Sequence, residues 1–413
     1  MKRLKRRALF FLSIMGPGII TASAGNDAGG VATYSLVGAT FGYRMLWLLF
    51  LMTFCLAIVQ EMGTRMGAVT GKGLSGLIRE EFGVRLTILA VLALLVANAA
   101  CTIAEFAGIA ASLQLMGISK YLSVPLMALV VWVVVLRVSY KGLEKVFLGL
   151  CLVYFTYIVS AFLVHPPWTE VLKHTFVPTF NLQSHYILIL IAFIGTTITP
   201  WMQFYVQSSV VDKGISPEEY RYERLDVIGG ALFANLIAFF IIICCAATLF
   251  NQGIRIETAQ DAALALKPLA GEYCSLLFAL GLFGASMLAA GVLPLSTAYA
   301  VCESFGWESG LSKTLKEAPF FYILYTLLIL ISAGVVLFPK IPLIWVMLLS
   351  QDINGILLPV ILIFMLLLIN NKRIMGRYTN SRLYNIIVIA LVGFIIILTI
   401  LLLAGSWGGI LKT

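Results

Sequence analysis

The feature that most restricts this chain is a recurrence of apolar runs, most of them long enough to cross a lipid bilayer as a helix. Crossing takes about 20 apolar residues. Runs of this kind lie at 12–38, 45–62, 86–116, 122–138, 146–163, 186–211, 229–250, 273–302, 320–338, 343–369 and 383–403. Apolar residues make up 61% of the chain and charged residues 11%, against about 45–50% and about 25% in a soluble domain. In hydrocarbon the backbone has to satisfy its own hydrogen bonds, and runs of this length do so as helices. The expected fold class is therefore an all-α integral membrane protein of about eleven transmembrane helices, with 1–413 as a single transmembrane domain.

The basic residues set the expected orientation. With the N-terminus inside, 21 of the 28 Lys and Arg residues fall in inner segments and 7 in outer ones. Inner loops are the ones that carry excess Lys and Arg. A multi-pass protein of the plasma membrane follows, with a cytoplasmic N-terminus and the C-terminus outside. The same bias accounts for the net charge of +9 without nucleic acid as a partner. Met1–Phe10 is basic and then apolar, as in a signal peptide. No small-residue cleavage site follows, and the apolar stretch runs on through Gly16, Pro17 and Gly18. All seven cysteines sit inside apolar stretches and read as small buried hydrophobes. No Walker motif, nucleophile elbow or HExxH occurs, which argues against an ATP-driven pump and common membrane hydrolases. The expectation is a non-enzyme with no cofactor.

Two runs are interrupted. The first holds Ser23, Ala24, Gly25, Asn26, Asp27, Ala28, Gly29 and Gly30 in its middle, and the sixth holds Gly195, Thr196, Thr197, Ile198, Thr199, Pro200, Trp201, Met202 and Gln203. Interrupted helices at matching places in two halves point to a transporter binding site. Spans 1 and 6 then imply a 5+5 inverted repeat, with repeat one about 10–163, repeat two about 184–370 and an extra helix at about 383–403. Kinks in packed helices would explain the glycines and the proline, but not a carboxylate beside them.

Asp27 is the strongest single signal, because a carboxylate at mid-membrane is costly and persists where it binds an ion, a proton or a cationic partner. Unwound backbone beside it would free carbonyls, for example that of Ala24, and carboxylate plus carbonyl suits a hard cation. Thr196, Thr199 and Gln203 offer neutral oxygens from span 6, the two threonines three apart on one helix face. Threonines in membrane helices often bond back to their own backbone. Asp352, near the start of span 10, is a second carboxylate for an ion or its hydration shell, or else a residue of the outer interface. Glu105 in span 3 is either a proton or ion relay or a buried protonated glutamate. Asp226 reads as a helix cap or salt-bridge partner, and Gln60 and Glu61 as solvated residues at the inner end of span 2. His165, His174 and His185 all lie in or beside the segment between spans 5 and 6, away from mid-membrane.

Gly16–Thr33 followed by Phe41–Trp47 resembles the first helix of the Nramp divalent-metal transporters. Val69–Leu74 is similar to that family's loop after helix 2, Gln207–Ser209 to the end of its helix 6, and Leu348–Pro359 to its helix 10. The resemblance covers nearly the whole chain in family order and implies a LeuT-like fold with discontinuous helices 1 and 6. It also implies uptake of divalent metal toward the cytoplasm. Departures from the family pattern bear on the substrate. The family's DPGN motif reads Asp27, Ala28, Gly29, Gly30, so the aspartate ligand stays and the asparagine ligand position is Gly30. The methionine before the helix-6 proline is Thr199, the histidine after it is Trp201, and the second histidine is Gln207; Met202 stays a candidate neighbour because the alignment slips by one residue. Helix 3 keeps Glu105 but has Thr102 for aspartate, and the helix-10 glutamine position falls on Asp352.

Loss of a thioether leaves hard oxygen ligands, and loss of Asn and Met leaves room. Mg²⁺ keeps several waters when bound through one or two carboxylates. The sequence thus resembles the Nramp-related magnesium transporter branch, in which proton coupling is thought absent. The expected function is alternating-access uptake of hydrated Mg²⁺, with Mn²⁺ accepted, by a monomer. The alternatives are a proton-coupled Mn²⁺/Fe²⁺ symporter using Asp27 and Glu105, an amino-acid or organic-cation transporter on the same fold, a non-translocating sensor, and a channel.

Overall fold

The computed structural model describes residues 25–137, 155–181, 183–311 and 313–407, and no strand occurs among them. The helices are α1 (Ala28–Phe41), α2 (Leu46–Thr70), α3 (Leu74–Leu115), α4 (Lys120–Arg137), α5 (Phe155–Leu163) and α6 (Trp168–Phe176). They continue with α7 (Ser184–Thr197), α8 (Pro200–Asp212), α9 (Tyr220–Thr248), α10 (Cys274–Phe305), α11 (Pro319–Val336), α12 (Leu343–Ile369) and α13 (Arg382–Trp407). Among the described residues, eight stretches are long and apolar enough to cross a membrane, and α4 adds a shorter apolar helix. The expected spans at 12–38 and 146–163 run partly outside the described residues.

The breaks follow the local chemistry. Gly83 (φ 73°, ψ 176°) interrupts α3, so a short helix from Leu74 precedes the apolar span that begins near residue 84. Gly71, in the left-handed region, ends α2 with its amide donating to the Gly67 carbonyl at 2.9 Å. The sixth span divides into α7 and α8 at Ile198 and Thr199, both extended, with Pro200 opening α8. Proline suits that first helical position because its missing N–H would be unpaired there anyway.

Helix α3 is the axis of the bundle, with α10 and α12 packed along it, while α9 covers α1 and α2 and α7 lies on α12. Lipid provides no hydrophobic drive between helices, so close approach through small residues supplies the packing. At Gly195 an added Cβ would run into the Gln351 carbonyl and the Gly355 amide, which places α7 and α12 in backbone contact. Gly38 has the same role between α1 and α9, where a Cβ would lie 2.8 Å from that of Cys245. The outward surface stays apolar: Leu383, Ile386, Ile389 and Ile400 of α13 are exposed, as are Leu330 and Ile331 of α11. Large exposed apolar faces on a well-packed bundle are what lipid covers.

Two expectations change. Asp226 does not cap α9, whose N-cap is Glu219; it lies in the second turn and is buried. Gln60 and Glu61 are not solvated, because α2 continues to Thr70 and folds them under neighbouring helices, where both are buried. Glu61 pairs with Arg65 at 3.1 Å, and Arg65 also donates to the carbonyls of Tyr378 and Thr379 and to the Asn380 side chain. This ties the α12–α13 connection to α2. The six described cysteines are free and buried, as expected; Cys151 lies outside the described residues.

Gly195→Ala is expected to cost about 1–3 kcal/mol, the usual penalty of overpacking. Gly229→Ala, where a Cβ meets nothing within 4 Å, is expected to leave stability unchanged. Thermal unfolding of the two variants in detergent checks this.

Candidate functional site

Helix α1 begins beside a carboxylate. Asp27 takes an extended backbone conformation and its Oδ1 accepts the Gly30 amide at 2.7 Å, so it is the N-cap. This satisfies one of the amides that a helix start leaves unpaired. The Ala28 amide donates to Glu105 Oε2 at 3.3 Å. Glu105 thus comes to the residue next to Asp27, and both carboxylates are buried. Two carboxylates this close do not both stay ionised unless a cation or a proton lies between them. Glu105 therefore lies beside Asp27 at the start of α1.

Gly30 gives the site its shape. A Cβ placed on it would lie 2.8 Å from the Gly25 carbonyl oxygen, 3.3 Å from Asp27 Oδ1 and 3.3 Å from Thr196 Oγ1. Three oxygens from two interrupted helices thus surround one point. A larger side chain there would displace at least the Gly25 carbonyl. The spacing is wider than the about 2.0–2.1 Å of direct Mg²⁺–oxygen bonds. Of the expected ligands, Ala24 lies outside the described residues; the carbonyl seen at this point is that of Gly25.

The break between α7 and α8 separates Thr196 from Thr199, so the two do not share a helix face. Thr196 lies in the last turn of α7 and Thr199 is the N-cap of α8. Their hydroxyls are buried without a hydrogen-bond partner among the described residues, as are Gln203 Oε1, Gln60 Oε1 and Glu105 Oε1. Buried polar atoms are nearly always paired in proteins, so orphan oxygens on both sides of the break suit water or a cation. Thr197, by contrast, is satisfied: it donates to the Phe193 carbonyl at 2.8 Å and shares a 3.0 Å bond with the Tyr34 hydroxyl.

A cavity of about 10 Å³ adjoins the break, lined by Gly25, Asn26, Gln60, Thr196, Met202 and Asn235 among others. That is room for about one water molecule. Met202 reaches this wall: its Cε lies 2.8 Å from where a Cβ on Gly25 would stand, and its Sδ accepts from Gln60 Nε2 at 3.7 Å. A thioether is therefore beside the site although Thr199 stands before the proline. Gln60 was not foreseen; its one legible signal was a glutamine preceding a glutamate at the end of an apolar run.

On α12 the side chain that reaches the helix-1 break is Gln351. A Cβ on Gly29 would collide with its amide. Gln351 Oε1 accepts from Asn354 Nδ2 at 2.9 Å, and the same amide lies 2.9 Å from Cys101 Sγ. Asp352 is one residue further on, about 100° around the helix, buried at 8% exposure and with Oδ1 unpaired among the described residues.

The family model described as natural resistance-associated macrophage protein-like matches residues 18–405. The chain belongs to the Nramp family. The divalent metal cation transporter MntH of Bacillus subtilis (strain 168) is 25% identical over 411 residues, covering 96% of this chain and 93% of that protein. MntH 1 of Pseudomonas aeruginosa is 31% identical over 305 residues, 70% of this chain and 66% of that one. Among solved structures, the manganese transporter of Eremococcus coleocola superimposes with a TM-score of 0.77 at 21% identity, covering 96% of this chain and 86% of that one. MhsT, in complex with L-phenylalanine, gives 0.61 at 16% identity over 94% and 98%. The fold is LeuT-like, as the family resemblance implied.

In this Nramp chain the open point at Gly30 can be tested directly. Gly30→Ala is expected to weaken Mn²⁺ binding about tenfold or more, a loss of about 1.4 kcal/mol, by pushing the Gly25 carbonyl off the site. Calorimetry in detergent measures it, with an unchanged thermal midpoint showing that the fold is kept.

Proposed function

We propose that this chain is a secondary transporter that carries divalent metal cations across the plasma membrane by alternating access, taking Mg²⁺ in partly hydrated form and accepting Mn²⁺. The observation that carries the reading is the convergence of Gly25, Asp27 and Thr196 oxygens within 2.8–3.3 Å of one point beside Gly30. Oxygen donors with one or two carboxylates match what Mg²⁺ requires, and the adjoining cavity has room for about one water. The orphan oxygens of Thr199, Gln203 and Gln60 are suited to hold that water. Relatives named as divalent metal cation transporters support the substrate class. This chain falls, in this reading, in the magnesium-transporting branch of the family.

Membrane potential suffices as the driving force. Two charges crossing 100 mV gain about 4.6 kcal/mol, from about 2.3 kcal/mol per charge. At about 1.4 kcal/mol per tenfold ratio, that supports an ion gradient of about three decades. The protein works as a monomer with two inverted repeats, its N-terminus in the cytoplasm and its C-terminus outside.

A second reading is favoured by one contact. Glu105 accepts the Ala28 amide right beside Asp27, and a proton held by this pair of carboxyls, displaced by the arriving metal and released inward, would make the protein a Mn²⁺–proton symporter. Met202 at the cavity wall points the same way, since thioethers favour softer metals.

Liposomes holding the purified protein, a Mg²⁺ dye and a pH dye distinguish the two. Saturable Mg²⁺ uptake at constant internal pH, abolished in Asp27→Ala and retained in Glu105→Gln, is the expected result. No Mg²⁺ flux, with Mn²⁺ entering and acidifying the lumen and with acidification lost in Glu105→Gln, would overturn the magnesium reading in favour of symport.

A further inference from the structure

We propose that α6 is an interfacial helix, lying in the plane of the membrane at one face of the bundle, with its outer apolar side docked into the headgroup–acyl boundary of a phospholipid leaflet. The chain leaves α5 at Leu163 and turns at His165, whose φ of 50° lies in the left-handed region, before the Pro166–Pro167 pair starts α6. Nine residues of helix reach about 13 Å, far short of a span.

Helical spacing divides α6 into three arcs. Val171 and Thr175 are buried against the bundle, at 0% and 8% exposure. Trp168, Leu172 and Phe176, each four residues apart, form a second arc and stay exposed at 37%, 55% and 62%. Glu170 and Lys173 lie exposed on the third arc, with half-buried His174. A soluble amphipathic helix has two environments, one apolar and packed, the other wet. A third, apolar and unpacked arc needs a third environment, and lipid at the level of the headgroups supplies it.

The neighbours identify that environment. Phe176 meets Phe50 edge to face at 5.2 Å, and Phe50 meets Phe54 at 5.1 Å. Phe50 and Phe54 are exposed residues of the membrane-spanning α2. At the other end Trp168 packs on Phe162 of α5 at 5.3 Å, and Phe162 on Phe240 of the spanning α9 at 5.8 Å. The outer arc of α6 is thus continuous with surface that already faces hydrocarbon. Trp47 and Tyr186 both donate to the Thr179 carbonyl just beyond α6, at 3.1 and 2.8 Å. Amphipathic rings of this kind gather where membrane meets water.

Spin labels on single introduced cysteines test the placement, using the full chain in proteoliposomes. Leu172→Cys and Phe176→Cys are expected to give an oxygen-to-nickel-chelate accessibility ratio several-fold above that of Glu170→Cys and Lys173→Cys. Comparable nickel-chelate access at all four positions would mean that water covers the arc, and the proposal fails. Shielding of 172 and 176 from both probes would mean that a second protein surface covers it, and the proposal fails equally. As an independent readout without a label, Trp168→Phe is expected to remove a component of the fluorescence quenched by lipids brominated near the carbonyl end of the chain. Undiminished quenching in that variant would count against the interfacial position.

Discussion

Breaking a helix inside a membrane strands backbone amides and carbonyls where no bulk water can reach them. Everything distinctive about this bundle follows from how two such breaks are repaired. At the first, Asp27 and Glu105 accept the amides at the start of α1, and the Gly25 carbonyl is left pointing into the gap. At the second, Pro200 removes one stranded amide, and the Ile198 amide bonds back to the Ile194 carbonyl at 2.9 Å. At the first break the amides are repaired by carboxylates, and across the gap the Gly25 carbonyl and the Thr196 and Thr199 hydroxyls offer oxygens that a cation can use.

Glycine and the long central helix bring the two breaks together. Gly195 lets α7 touch the backbone of α12, and Gly29 lets α1 accept the Gln351 side chain. Helix α3, packed on both α10 and α12, carries Glu105 to the start of α1. A larger residue at Gly30 would fill the space that the three oxygens surround, so the same small side chains that permit close packing also keep the site open. Softness is tuned separately: the hard oxygens encircle Gly30, while the one sulfur at the wall, Met202, faces Gly25 and Gln60.

The sequence by itself determined the class of fold, because the run lengths answer to bilayer thickness and the positions of Asp27 and Pro200 mark where helices cannot continue. It also determined the family, since the motifs lie in order along the chain. Span boundaries agree with the structure within a few residues for 86–116, 273–302 and 343–369, where composition changes sharply at the ends. It misplaced the end of the second span, because Gln60, Glu61 and Arg65 look solvated until Arg65 is seen binding the α12–α13 connection.

Which side chains meet at the gap was decided only by tertiary structure. Helical periodicity put Thr196 and Thr199 on one face, but periodicity does not survive a break, and the two belong to different helices. The polar side chain of α12 that meets Gly29 belongs to Gln351, one position before Asp352, and one position turns a side chain by about 100°. Met202 and Gln60 meet across 142 positions of sequence, and no local pattern encodes such a contact. Residue spacing fixes direction only along an unbroken helix; across a gap, direction is set by how neighbouring helices pack, and that depends on the whole bundle.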